Sequence, residues 1–93
     1  MIVTIPAAHP SLPGHFPGEP IVPGAVLLDF AVDCIERRFG HRVTMIAAAK
    51  FLRPVRPEQS LTFDLRRGDG GRVAVTASVA GATAFSLSAI IEG

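Results

Sequence analysis

The residues from Gly14 to Asp33 read Gly-His-Phe-Pro-Gly-Glu-Pro-Ile-Val-Pro-Gly-Ala-Val-Leu-Leu-Asp-Phe-Ala-Val-Asp. One imidazole, His15, stands in a stretch crowded with prolines, and one carboxylate, Asp29, follows five residues after Gly24. An imidazole takes up or releases a proton near neutral pH, and a carboxyl group nearby supplies the complementary half of acid–base chemistry. Pro13, Pro17, Pro20 and Pro23 limit the conformations of the segment, which lowers the entropic cost of holding His15 in place. Pro23 has no N–H, so the first free donors of a helix starting there belong to Gly24 and Ala25, where a developing oxyanion can be held. Gly24 also lets a ligand approach the backbone closely. A lone histidine is ordinarily a surface or core residue, a carboxylate on a polar stripe ordinarily faces water, and Gly24 can serve the turn alone. The setting of His15 and Asp29 favours chemistry over those ordinary readings.

The elements that must position these groups follow from pattern. Met1 to Ile5 alternates weakly and is rich in β-branched residues, which predicts a short strand ended by Pro6. Pro10 to Gly24 carries too many prolines and glycines for a helix or a central strand and predicts a long, stiff loop. Ala25 to Phe39 holds neither Pro nor Gly and is followed by Gly40, so it predicts one helix of about four turns. Leu27, Leu28, Phe30, Ala31, Val32, Cys34 and Ile35 cover a wide arc of it, which predicts a sheet curling around most of the helix. Asp29, Asp33, Glu36 and Arg37 share the remaining stripe. Period-two patterns then predict strands at Arg42 to Leu52, Ser60 to Arg67, Arg72 to Ala80 and Thr83 to Ile91, joined as an antiparallel meander. Turn signals fall at Gly68 to Gly71 and at Gly81 with Ala82. The expected fold class is α+β, a sheet packed on one helix, filling residues 1–93 as one domain.

Composition narrows the function. The chain has 93 residues, room for one modest core, and a partner copy would add buried surface. Hydrophobic residues make up 48% of it but aromatics only 6%, so the core must be aliphatic. A net charge of +1 argues against bulk nucleic-acid binding. No apolar run reaches the length of a membrane span, and Met1 to Pro6 lacks the marks of a secretory signal. The single cysteine, Cys34, fits a reducing cytoplasm and reads as a core thiol. His9 and His41 carry no partner pattern, so neither a metal nor any other cofactor is expected. All nine Lys and Arg lie from Arg37 to Arg72, the half on which an acidic partner should dock.

At this point the sequence resembles the 3-hydroxyacyl-(acyl-carrier-protein) dehydratase family of the FabA/FabZ type. His15, Phe16, Pro17, Gly18, Pro20, Pro23 and Gly24 match the family's loop, and Asp29 falls at its helix carboxylate. A second block matches at Lys50, Phe51, Arg53, Pro54, Val55 and Pro57. The resemblance implies a hot-dog fold, an antiparallel sheet wrapped around one central helix, that pairs into a double hot-dog homodimer, with higher assembly open. It implies composite sites in which His15 of one chain meets Asp29 of the other, with Gly24, Ala25, Phe16, Val22 and Asp33 binding substrate or its oxyanion. The partner implied is acyl carrier protein bearing a 3-hydroxyacyl chain, which Lys50, Arg53 and Arg56 would contact. His15 would take the proton beside the thioester carbonyl, and protonated Asp29, kept neutral by burial in an apolar tunnel, would release the hydroxyl as water. The chain departs from the family in three places. It has less sequence before the first strand, Asp33 stands where Gln is common and either helps Asp29 keep its proton by like charge or simply pairs with Arg37, and Glu58-Gln59 replaces a common Gly-Asp.

Two rival functions stay open on the same residues. One is thioester hydrolysis, with the helix carboxylate activating water; the other is a non-catalytic subunit that holds acyl chains or pairs with an active relative. The prolines at every third position also suit a polyproline II ligand, which the apolar helix directly after them disfavours.

Overall fold

The computed structural model describes residues 1–6 and 21–92. Within them lie β1 (Ile2–Thr4), α1 (Gly24–Phe39), β2 (Val43–Phe51), β3 (Ser60–Arg67), β4 (Arg72–Val79) and β5 (Ala82–Ile91). A short 3-10 turn at Asp69–Gly71 joins β3 to β4. Every pairing is antiparallel and the strand order is β1-β3-β4-β5-β2. The expected meander therefore holds only for β3, β4 and β5. The first long strand after the helix does not pair with its successor but runs along the far side of β5. Pro54 and Pro57 end β2 and carry the chain across, which local alternation does not reveal.

Alternation sets the core. Leu61 and Phe63 of β3, Val73, Val75 and Ala77 of β4, and Phe85, Leu87, Ala89 and Ile91 of β5 all point inward and are buried. The helix lays Val26, Leu27, Ala31, Cys34 and Ile35 against them, the spacing of a single face. Fully burying Leu27 or Ile35 contributes about 1.5–3 kcal/mol each, and truncation to Ala would cost about 2–5 kcal/mol once the cavity is included. Leu28, Phe30 and Val32 are half-buried, Leu28 and Phe30 packing against the core, and the exposed helix positions are confined to Ala25, Asp29, Asp33, Arg37 and Arg38.

Local signals fix the ends of the helix. Pro23 precedes its first turn without a side-chain cap, and Gly40 ends it at φ 72°, its N–H donating to the Glu36 carbonyl at 2.9 Å. Arg37 and Arg38 in the last turn suit the negative end of the helix dipole. The Glu36 carboxylate then accepts from Val43 N–H at 2.8 Å, which fastens the start of β2 to the helix.

One bulge shapes the site. The register between β4 and β5 slips at Ala77/Ser78, so Ala84 has no partner on β4 and is buried beside Phe85. Its carbonyl accepts from both Leu52 N–H and Arg53 N–H, at 2.8 and 3.0 Å. The chain leaving β2 is thereby clamped next to the helix start.

Candidate active site

His15 and Phe16, with the proline-rich loop from Pro10 to Pro20, lie outside the described residues, as does His9. The described part of the site begins at Ile21, and Val22 anchors it. Its N–H donates to the Val55 carbonyl at 2.7 Å and its side chain is buried, so the chain entering the helix is tied to the chain leaving β2. Pro23 then offers its carbonyl to both Val26 N–H and Leu27 N–H, at 3.0 and 3.2 Å. Among the described residues no acceptor meets the N–H of Gly24 or Ala25. Both amides stand at the positive end of a helix, where an anionic oxygen is favoured.

Beside them lies a groove of about 400 Å³ between the helix start and the segment that follows β2. Ile21, Val22, Gly24 and Leu27 form one wall, and Phe51, Leu52, Pro54 and Val55 the other, with Arg53 as the single charged residue among the described ones. Phe51 closes tightly on the glycine: a Cβ placed on Gly24 would stand 3.1 Å from the Phe51 ring. The ring stacks in turn on the buried Phe85, with centroids 5.8 Å apart, and Phe85 meets Phe63 edge-on at 5.9 Å. Sequence reasoning did not single out Phe51, Leu52, Leu27 or Ile21 as groove residues. The second motif block contained Phe51, but nothing in its alternation says that its ring would face the helix start.

Asp29 stands one helical turn beyond Ala25, on the outward face, exposed and with no ion pair among the described residues. It does not line the groove. Asp33 on the same stripe pairs with Arg37 at 2.9 Å, and because both are exposed this bond adds at most a few tenths of a kcal/mol. Of the three cations assigned to carrier contact, all exposed, only Arg53 borders the groove. Lys50 is next to Phe51 in the strand and so faces the opposite side of the sheet, in a shallow depression with Ala74, Thr76, Ser86 and Ser88. Arg56 lies in the following turn, where its N–H donates to Gln59 Oε1 at 2.9 Å. Cys34 is a core thiol; burial, and secondarily the Asp33 carboxylate, pushes it above its ordinary range. The described residues contain no group of three His, Cys, Asp or Glu side chains able to hold a metal ion, and no helix long and apolar enough to cross a membrane.

A five-stranded antiparallel sheet packed on one helix, with a groove at that helix's start, is the hot-dog class of α+β architecture. Solved structures that share it include the dehydratase heterocomplex ApeI:P from Xenorhabdus doucetiae and an uncharacterized protein from Erwinia carotovora subsp. atroseptica. The first superposes with a TM-score of 0.81 at 18% identity, covering 97% of this chain and 82% of that one. The second gives 0.82 at 21% identity, covering 98% and 79%. Among curated proteins, the 3-hydroxyacyl-(acyl-carrier-protein) dehydratase FabZ of Thermus thermophilus is 34% identical over 102 aligned positions, 91% of this chain and 71% of that enzyme. FabZ of Fusobacterium nucleatum is 37% identical over 60 residues, 57% of this chain, so the match spans only 43% of that enzyme's length. The family model of ApeI-like proteins, described as ApeI dehydratase, matches residues 1–86. The chain belongs to this ApeI-like dehydratase family, of the FabZ type.

Proposed function

We propose that this chain removes water from 3-hydroxyacyl thioesters carried on acyl carrier protein, giving trans-2-enoyl thioesters. The observation that carries the reading is the helix start. Two amides that meet no acceptor among the described residues, at Gly24 and Ala25, stand at the start of the helix that carries Asp29 one turn further on, within a chain of the dehydratase family. The thioester oxygen rests against those amides while neutral His15 takes the proton from C2. The electron pair of the C–H bond becomes the C2–C3 double bond, and the C3 hydroxyl leaves as water with the proton of Asp29. The imidazolium and the carboxylate then exchange a proton through solvent to restore the starting state.

A protonated Asp29 needs cover, and its own sheet does not supply it. We place that cover in a second copy of the chain. Strand β2 is an edge strand of nine residues, about 30 Å long, and every side chain beyond Val43 is exposed. Met45 and Ile46 stand out from it, 54% and 38% exposed. Such an edge invites pairing, and β1, the opposite edge, offers only three residues. Joining two copies along β2 would bring the half-covered helix faces toward each other, with His15 of one chain serving Asp29 of its partner.

The test uses a short enoyl thioester and a 3-hydroxyacyl thioester, each on carrier protein and on coenzyme A. Interconversion of the two, read by the conjugated absorbance, without release of free thiol supports the proposal. Thiol release assigns hydrolysis in its place, and silence on every substrate assigns a non-catalytic role.

A further inference from the structure

All nine Lys and Arg of the chain fall within the described residues, and Arg53 is the one that borders the groove. Its backbone is fixed from both sides, since its N–H donates to the Ala84 carbonyl at 3.0 Å and Pro54 after it favours an extended conformation. The Arg53 side chain is exposed and has no ion pair among the described residues, whereas Arg37 and Arg66 are held by Asp33 and Asp64 at 2.9 and 3.2 Å. Arg38 and Arg67 lie against the Phe39 ring at the far end of the helix. No Asp or Glu is among the described residues that line the groove. A guanidinium thus stands at the border of an otherwise apolar slot, two residues beyond the ring that closes on Gly24.

We propose that Arg53 binds the phosphate of the phosphopantetheine arm on which the acyl chain is carried. This inference rests on the dehydratase reading above. The acyl chain and the thioester are neutral and suit an apolar wall, while the phosphate is the anionic group common to carrier-bound and coenzyme A substrates. With the thioester oxygen against the Gly24 and Ala25 amides, about a dozen bonds separate the sulfur from the phosphorus, about 15 Å when extended. From Phe51, whose ring lies on Gly24, two residues of extended chain span about 7 Å and the arginine side chain about 6 Å more. Phosphate and guanidinium therefore reach comparable distances from the thioester. Arginine suits this ligand because its planar fork donates two parallel hydrogen bonds to phosphate oxygens and keeps its charge at any working pH.

The experiment measures kcat/KM for dehydration of one 3-hydroxyacyl group presented on N-acetylcysteamine, pantetheine, phosphopantetheine, coenzyme A and carrier protein, by the wild type, Arg53→Gln, Arg53→Lys and Arg72→Gln. Arg53→Gln should lose about five- to ten-fold on the three substrates that carry the phosphate and nothing on the two that lack it. Arg53→Lys, which keeps the charge without the fork, should lose less on the same three, and it decides the matter if the glutamine variant does not fold. Arg72 stands opposite Ile90, at the other end of β5 from the Phe85 that pairs with Phe51, so Arg72→Gln should match the wild type throughout. A loss confined to the carrier protein would put Arg53 on that protein's surface, and an equal loss on every substrate, or none, would remove the phosphate from the account. Each of these results overturns the inference while leaving the dehydratase reading intact. A folded wild type inactive on every substrate overturns the dehydratase reading and this inference with it.

Discussion

Replacing Met45 and Ile46 together by lysine should separate the proposed dimer without harming the subunit. Neither side chain is buried in the single chain, at 54% and 38% exposure, so the substitutions leave its core intact. Full burial of a Met or Ile side chain contributes about 1.5–3 kcal/mol, and the exposed fractions of the two therefore hold about 2 kcal/mol between them. A two-fold interface counts each residue twice, so covering all four is worth about 4 kcal/mol. Losing that contribution weakens dimerisation by roughly a thousand-fold, before any repulsion among four new cations is added. Sedimentation equilibrium over a range of protein concentrations reads the change directly. Ile2→Lys is the control, since Ile2 is 71% exposed on the opposite edge strand and should leave the association constant unaltered. An unchanged dimer in the double-lysine variant, or a dimer broken by Ile2→Lys, would refute the assignment of the interface to β2.

Three further outcomes follow from local geometry. Ala80 and Gly81 both have positive φ, 51° and 82°, in the two-residue turn between β4 and β5, a conformation that asparagine tolerates better than alanine. Ala80→Asn should therefore raise stability by about 0.5–1 kcal/mol in urea unfolding. Gly71 has φ 77°, and a Cβ there would lie 2.7 Å from the Ile91 carbonyl oxygen, so Gly71→Ala should lower stability by about 2–3 kcal/mol in the same assay. The Cys34 thiol is raised above its ordinary value of 9.0 by burial, so its stabilising contribution is complete below that pH and is lost as pH rises through the folded value. Urea unfolding at about pH 8 and about pH 10.5 should show an alkaline loss that is smaller in Cys34→Ala.

The helix and the strand bodies were readable because their signals are local. A stretch free of Pro and Gly ending at Gly40 gave α1 to within one residue of Gly24–Phe39, and Ser60–Arg67 follows from the alternation of Leu61, Phe63 and Leu65. Strand order was not readable. Whether Ala48 and Phe51 lie against β3 or against β5 depends on where the chain goes after Pro54, and period-two alternation is the same in either case. The apolar arc of the helix was readable, since all of its residues are buried or half-buried; only which of them are fully buried, Leu27 and Ile35 rather than Leu28, Phe30 and Val32, depends on the direction of the sheet.

At the site, the first motif block drew attention to Gly24 and Asp29, and the structure adds where a residue of the second block lies. Phe51 is thirty-six residues from His15 in a run that reads as an ordinary strand, yet the Ala84 bulge and the Val22–Val55 hydrogen bond bring its ring to the helix start. The three cations at 50, 53 and 56 look like one patch in the sequence. They separate in space because adjacent strand residues face opposite sides, which leaves Arg53 alone at the groove.

The shared site is tested most directly by mixing two inactive proteins, His15→Ala and Asp29→Asn, under conditions where subunits exchange. Random pairing makes half of the dimers mixed, and each mixed dimer holds one intact site of two, so about a quarter of wild-type dehydratase activity should return. Exchange proven by mass spectrometry with no recovered activity would contradict the account.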